Sequence, residues 1–271
     1  MADIAAIKRV REITGAGMTD VKAALDAAGG DEQVAIDELR KKGAAKAIKR
    51  GAERTASNGL LAGGDGSLIE LACETDFVAK NEQVQQLAAD IAAHAAKTGI
   101  GDVEKLLGET LADGVDVRTS IERVAAAMGE KMELSKAAHF EGKVATYLHR
   151  RASDLPPQIG VLVEFTGDDA EAARGAAMQI ASLKAQYLTR EDVPADLVAR
   201  EREIAESIAR EEGKPEAALS KIVEGRIQGL YKEIVLLEQP SVRENKRTVK
   251  AVLDEAGVAV TRFIRFEVGT A

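Results

Sequence analysis

Apolar positions near the start of the chain recur at three- and four-residue intervals, which predicts three short helices. The apolar positions of the first helix are Ile4, Ile7, Val10 and Ile13. Gly15 and Gly17 are expected to end this helix through positive φ angles. Thr19 or Asp20 is expected to cap the second helix, and Asp31 the third. Three helices in so short a stretch predict a small bundle.

Two later stretches, residues 66–71 and 160–165, each begin with glycine and continue as a largely aliphatic run, which predicts buried β-strands. An alanine-rich helical pattern follows each run. Each half then ends on a related strand, at residues 136–142 and 263–269. Because the order strand, strand, helix, helix, strand occurs twice, we predict an internal duplication and two α+β subdomains.

Residues 194–231 predict two antiparallel helices joined by a turn at Gly213-Lys214-Pro215. The positions assigned to the apolar seam are Leu197, Ile204, Ile208, Leu219, Ile222, Val223, Ile227 and Leu230. A narrow seam between charged flanks favours a projecting coiled-coil hairpin, with an ordinary hairpin packed on the core as the alternative. The predicted fold class is α+β, with domains at 1–54, 55–142 and 143–271.

Composition narrows the function classes. The net charge of −8 and an aromatic content of 3% without Trp argue against direct nucleic-acid binding, which uses clustered cations and stacking rings. Cys73 is the single cysteine, so we expect a small buried hydrophobe in a reducing compartment. Since no leader and no apolar run of about 18 residues is evident, we expect a cytoplasmic protein without a membrane span.

The chain offers little for enzymatic chemistry. Its three histidines, His94, His139 and His149, are scattered, and neither a Walker-type phosphate loop nor spaced metal ligands occur. The pair Asp168-Asp169 is interpreted as a turn and helix cap. The sequence therefore predicts a protein that is not an enzyme and needs no cofactor.

One strand-to-helix junction carries the most distinctive residues, Thr75-Asp76-Phe77-Val78. Phe77 could pack inward as a helix staple while Asp76 caps the helix, or both could be displayed for binding. The second half of the proposed repeat has Gly167-Asp168-Asp169-Ala170 at this place, without an aromatic residue. An aromatic staple is thus not required by each repeat, which favours a binding role for Phe77.

Residues 75–81, Thr-Asp-Phe-Val-Ala-Lys-Asn, resemble a signature of the elongation factor Ts family. Residues 14–22, Thr-Gly-Ala-Gly-Met-Thr-Asp-Val-Lys, resemble a second signature, although the family often has another Met at the place of Thr19. The resemblance runs from about residue 4 to 269. It implies a ubiquitin-associated-like bundle, a coiled-coil arm, and an exchange factor for elongation factor Tu. Such a factor binds the GDP-bound and nucleotide-free forms of its partner and disturbs the Mg²⁺ and phosphate site.

The resemblance also implies roles for individual residues. The residues expected to act near the partner's Mg²⁺ site are Thr75, Asp76, Phe77 and Val78. The residues expected to dock on the GTPase domain are Gly15, Ala16, Gly17 and Met18. His149 matches the family's Tyr-x-His and is a candidate contact of the second subdomain, and Met128-Gly129-Glu130 resembles a segment near the partner contact. The basic run at 40–54 is either a solvated linker or a contact for an acidic patch, and a pure adaptor is the alternative function.

Overall fold

The computed structural model describes residues 3–14, 16–51, 55–244 and 246–270. Helices and two three-stranded sheets make up an α+β fold, as predicted. The chain divides into two compact units, one made of residues up to 139 with 150–159 and 266–271, the other of 140–149 with 160–265. Among the described residues, no helix has the length and apolar character to cross a membrane.

The first three helices are α1 (Ile4–Thr14), α2 (Met18–Ala27) and α3 (Glu32–Gly51). Their buried core consists of Ala6, Val10, Val21, Ala24, Leu25, Ala35, Ile36 and Leu39. Asp31 caps α3 as predicted, because its carboxylate accepts the backbone N–H groups of Gln33 at 2.9 Å and Val34 at 3.1 Å.

The start of α2 differs from the prediction. Gly17 is the N-cap, with φ of −62°, and gives no side-chain cap. The predicted caps Thr19 and Asp20 are therefore wrong, because the helix begins at Met18 and includes both residues in its first turn. Gly17 also does not adopt the positive φ expected of it. Gly15 lies outside the described residues.

The first sheet contains β1 (Asn58–Gly64), β2 (Ser67–Cys73) and β3 (Met132–His139), all antiparallel in that order. Asp65 and Gly66 join β1 to β2 with φ of 49° and 83°, the conformation of a two-residue hairpin turn. Every residue of β2 is buried, which explains its continuous aliphatic sequence. The strand predicted at 136–142 begins earlier than expected, at Met132.

Four helices separate β2 from β3: α4 (Asp76–Ala79), α5 (Glu82–Thr98), α6 (Val103–Leu107) and α7 (Val117–Met128). The apolar series predicted for α5 is buried, namely Val84, Leu87, Ala88, Ile91 and Ala92. These side chains join those of β2 and α7 in one hydrophobic core. The short α4 contributes Val78 and Ala79 to the same core, which fixes one side of the junction.

The second sheet contains β4 (Val144–His149), β5 (Ile159–Thr166) and β6 (Ala259–Glu267), again in sequential order. The helices of this part are α8 (Ala170–Leu183), α9 (Ala195–Glu211), α10 (Glu216–Ile234) and α11 (Val249–Glu255), with 3₁₀ turns at Arg190–Asp192 and Leu236–Glu238. Asp169 caps α8 through the N–H of Ala172 at 2.9 Å, as its interpretation as a turn and cap predicted.

Helices α9 and α10 pack against each other as the predicted antiparallel pair. On α10, Leu219, Val223 and Ile227 are buried as expected. On α9 the prediction is wrong: Ile204 and Ile208 are 44% and 39% exposed, whereas Ala205 and Ala209 are buried. Small side chains on α9 leave room for the larger ones of α10, so the contact face is turned by one residue from the expected seam.

Candidate functional site

The junction between β2 and α4 is built by a helix cap. Thr75 has the extended backbone of an N-cap, with φ of −127° and ψ of 156°, and its Oγ1 accepts the N–H of Val78 at 3.4 Å. Asp76 is the first residue within the helix. The interpretation that Asp76 itself caps the helix is therefore wrong, and its carboxylate is available to other groups.

Phe77 is displayed on the surface. Its side chain is 80% exposed, while the two following residues, Val78 and Ala79, are buried in the core of the first unit. Because Val78 and Ala79 are buried, the orientation of the short helix leaves the Phe77 ring on the surface. The interpretation of Phe77 as an inward staple is wrong, and the expectation of a displayed aromatic side chain agrees with the structure.

A small charge network surrounds the exposed ring. Lys80 Nζ lies 3.3 Å from a carboxylate oxygen of Asp76 and 2.8 Å from one of Asp154, and 5.9 Å from the centroid of the Phe77 ring. Hydrogen bonds to Asp154 and then Asp76 raise the pKa of Lys80, and the bond from Lys80 lowers the pKa of Asp154. These groups are solvated, so they order the surface more than they stabilise the fold.

A second segment holds the junction from the other side. Glu130, just after α7, accepts the backbone N–H of Thr75 at 3.0 Å and the Thr75 hydroxyl at 2.8 Å. In return, Glu74 accepts the backbone N–H of Lys131 at 2.7 Å. Three hydrogen bonds thus join Glu74-Thr75 to Glu130-Lys131, and the turn of the chain at Gly129, with φ of 74°, makes this approach possible.

Cys73 lies directly beneath the junction and is fully buried, as predicted. Its Sγ donates a hydrogen bond to the carbonyl oxygen of Thr75 at 3.1 Å. Burial, followed by the nearby carboxylate of Glu130, raises the pKa of the Cys73 thiol to about 12. The thiol therefore stays protonated at neutral pH and has the character of a packing group.

The segment before α2 shares one feature with the junction, an exposed apolar side chain. Met18 is 61% exposed and stands at the first position of α2. Ala16 is partly buried against the bundle core and Gly17 is exposed. The Thr14 hydroxyl accepts the N–H of Ala16 at 3.3 Å, which helps to fix the turn. Met18 is thus presented for contact.

His149 ends β4 and is exposed, in the second unit. Its Nδ1 lies 3.1 Å from the Tyr147 hydroxyl, and the Arg174 guanidinium lies 5.5 Å from the centroid of the Tyr147 ring. These neighbours orient the imidazole on the surface. The described residues contain no cluster of three or more His, Cys, Asp or Glu suited to a metal.

The structure brings Thr75, Asp76, Phe77 and Val78 together on one short helix and its cap. Sequence reasoning missed the roles of Lys80 and Asp154, and it did not place Glu130 against Thr75. Lys80 could have been found, because it lies four residues after Asp76, at the C-cap of the same helix. Asp154 and Glu130 carried no such signal, since they are separated from their partners by 74 and 55 residues.

Comparison with known proteins gives consistent matches. The family model described as Elongation factor TS matches residues 74–270. Elongation factor Ts of Mycolicibacterium vanbaalenii is 59% identical over 265 residues, which are 98% of this chain and 97% of the relative. The protein of the same name from Saccharopolyspora erythraea is 58% identical over equal coverage, and that from a Nocardioides species is 56% identical over 99% of this chain and its own full length. The chain therefore belongs to the elongation factor Ts family.

Proposed function

We propose that this chain is a guanine-nucleotide exchange factor in translation elongation that binds elongation factor Tu and promotes the release of GDP. Family membership supports a role in protein biosynthesis. The observation that carries the proposal further is the ring of Phe77, 80% exposed on a four-residue helix whose other side is buried. An exposed aromatic side chain on a fixed support is suited to insertion into a partner.

An exchange factor needs no bond-making chemistry of its own. It must bind the nucleotide-free partner more tightly than the GDP-bound partner, and GDP then weakens the binding of the factor by the same ratio. A GTPase holds GDP through backbone amides and through Mg²⁺ held by short flexible segments. Phe77 would displace helices beneath the Mg²⁺ site, and the carboxylate of Asp76 would compete for donors that support the metal. Thr75 and Val78 would fix the loop.

Other surfaces would supply holding contacts. Met18, with Ala16 and Gly17, would dock on the GTPase domain, and His149 would contact it from the second unit. The exposure of Met18 and His149 supports these roles. Gly15 belongs to the same proposed contact by its place in the sequence. The basic run at 40–54 falls partly outside the described residues and enters no step of the proposal.

We propose three domains, at 1–54, 55–142 and 143–271. The first would be a ubiquitin-associated-like bundle, and the other two would be duplicated subdomains, the last with a coiled-coil arm at 194–231. Two sheets with the same sequential strand order support the duplication. The protein would act in the cytoplasm, without enzymatic turnover, a cofactor, direct nucleic-acid contact or a membrane.

The test is the release of a fluorescent GDP from elongation factor Tu, followed at increasing concentrations of wild type, Asp76→Asn and Phe77→Ala. Val242→Ala removes an exposed apolar side chain of the second unit and serves as the control. Since burial of a Phe side chain contributes about 1.5–3 kcal/mol, we expect Phe77→Ala to lower the maximal release rate about tenfold or more.

The concentration giving half the maximal effect should change much less than the rate. If the loss of affinity alone explains the lower rate of Phe77→Ala, the assigned role of Phe77 is wrong. If the wild-type protein binds elongation factor Tu but leaves GDP release unchanged, the adaptor function replaces the exchange function.

A further inference from the structure

The helix that carries Phe77 lacks the usual means of holding its own start. In a capping box, the side chain at the third helical position reaches back to the backbone N–H of the cap residue. In α4 the cap is Thr75 and the third position is Val78, whose aliphatic side chain cannot accept a hydrogen bond. The N–H of Thr75 must therefore find its acceptor elsewhere.

Glu130 supplies that acceptor from a remote part of the chain. One carboxylate oxygen accepts the Thr75 N–H at 3.0 Å and the other accepts the Thr75 hydroxyl at 2.8 Å. Because that hydroxyl donates to Glu130, its lone pairs remain free to accept the N–H of Val78. The carboxylate also stands at the positive end of the helix, where negative charge is stabilising. Glu130 thus completes a capping box across 55 residues.

A helix of four residues cannot hold its shape by its own hydrogen bonds. Two groups of contacts hold α4: Val78 and Ala79 in the core, and the Glu130 carboxylate at the cap. The core contacts hold the buried side of α4 against the first unit. The Glu130 contacts hold the backbone of Thr75, which precedes Asp76 and Phe77. We propose that Glu130 is a positioning residue, which presets the exposed Phe77 ring and the Asp76 carboxylate for insertion into the partner.

This proposal rests on the proposed exchange function, so its test uses two separate readouts. The first is hydrogen exchange of the Thr75 amide in the free protein, resolved by NMR, which requires no partner. The second is the GDP-release assay, analysed as a maximal rate and a half-saturating concentration. A preset Phe77 contributes to the rate-promoting step, so loss of its positioning should lower the maximal rate more than the apparent affinity.

The variants are chosen to separate positioning from general damage. Glu130→Ala removes both acceptors, and Glu130→Gln keeps one acceptor oxygen. Glu133→Gln is the matched control, because it removes a nearby carboxylate that pairs with the Lys131 side chain at 2.8 Å. Thr75→Val removes the hydroxyl that donates to Glu130. Thermal unfolding of each variant shows whether the fold survives.

For Glu130→Ala we expect at least tenfold faster exchange of the Thr75 amide and a maximal GDP-release rate lower by about tenfold, the scale of a lost hydrogen bond to a charged group. The half-saturating concentration should stay within about threefold, as expected if most contacts remain. Glu130→Gln and Thr75→Val should fall between Glu130→Ala and wild type. Glu133→Gln should resemble wild type.

A double variant decides whether Glu130 acts through Phe77. If it does, adding Glu130→Ala to Phe77→Ala lowers the rate little further, whereas independent roles give multiplied losses. Unchanged Thr75 amide exchange in Glu130→Ala, or multiplied losses in the double variant, would overturn the positioning role. If wild type fails to accelerate GDP release at all, the exchange function is wrong, and amide exchange alone still reports whether Glu130 orders the cap.

Discussion

At the scale of single residues, the thiol of Cys73 lies in the buried core and donates a hydrogen bond to the carbonyl oxygen of Thr75, the cap of α4. Its pKa is raised to about 12, first by burial and then by Glu130, compared with roughly 8.5 for an unfolded chain. The folded state therefore favours the protonated thiol. The stability from this group is complete below about pH 8.5 and is lost as the pH rises towards 12.

We expect Cys73→Ala to show a weaker alkaline loss of stability than wild type. Urea unfolding at intervals from pH 7 to pH 11 would measure it, with the difference between the two proteins removing the titration of Lys and Tyr residues that they share. The wild-type advantage should be largest at neutral pH and should shrink above about pH 9. Parallel curves for the two proteins would contradict the raised pKa.

Some features of the site could be predicted from the sequence, and others could not. The display of Phe77 was favoured by the sequence, because the second half of the proposed repeat lacks an aromatic residue at the same place. The cap was not, since Asp76 and Thr75 are adjacent and both residue types cap helices well. The tether from Glu130 was beyond prediction from local patterns. It exists only because β2 and β3 pair and bring the ends of two distant segments together.

At the scale of elements, isoleucines of the α9–α10 hairpin that look alike in the sequence differ in burial. Ile227 is fully buried against Ala205 and Val223, whereas Ile204 is 44% exposed. Truncating a buried Ile removes transfer energy and leaves a cavity, so Ile227→Ala should destabilise the protein by about 2–5 kcal/mol. Ile204→Ala removes the same atoms from a surface position and should change stability by less than about 1 kcal/mol.

Denaturant unfolding followed by far-UV circular dichroism would compare the two variants, with wild type as reference. Equal destabilisation by Ile204→Ala and Ile227→Ala would contradict the contact face formed by Ala205 and Ala209. It would restore the seam predicted from the sequence. That prediction erred because periodicity gives weight to large apolar residues. The two possible faces of α9 differ by about 100°, and the small Ala205 and Ala209 are the ones that fit.

The elements themselves were largely predictable, since helix and strand periods and caps are local properties. The three N-terminal helices, the buried β2 and β5, and the helix pair all lie where they were expected. Boundaries were less well predicted, as at α2 and β3. The ends of these elements depend on partners that the local sequence does not specify, such as the pairing of β3 with β2 from Met132 onward.

At the scale of the whole molecule, segments from distant parts of the sequence complete the first unit. The N–H of Leu61 in β1 donates to the carbonyl oxygen of Pro157 at 2.8 Å, and the N–H of Val268 donates to that of Gln158 at 2.9 Å. Residues near 157 and 268 therefore belong to the same unit as the first sheet. The stability of that unit depends on the last residues of the chain as well as on its first half.

Lys136 makes three further long-range contacts in this unit. Its Nζ lies 3.1 Å from Glu70 Oε2, donates to the carbonyl oxygen of Thr270, and stands 5.8 Å from the centroid of the Phe266 ring. Glu70 is buried, so its carboxylate depends on this neighbouring charge. Lys136 is partly exposed, but removing it leaves the Glu70 charge buried without compensation, which typically costs about 3–5 kcal/mol.

We therefore expect Lys136→Met to destabilise the first unit by about 3–5 kcal/mol, measured by urea unfolding. Replacing both partners, as Glu70→Leu with Lys136→Met, should recover most of that loss, since no charge then remains buried. Arg118→Met breaks the exposed pair with Glu104 in the same unit and should change stability by less than about 1 kcal/mol.

If Lys136→Met is as mild as Arg118→Met, Glu70 is solvated in solution and the pair does not hold the end of the chain. A double variant no more stable than Lys136→Met would instead assign the loss to the contacts of Lys136 with Thr270 and Phe266.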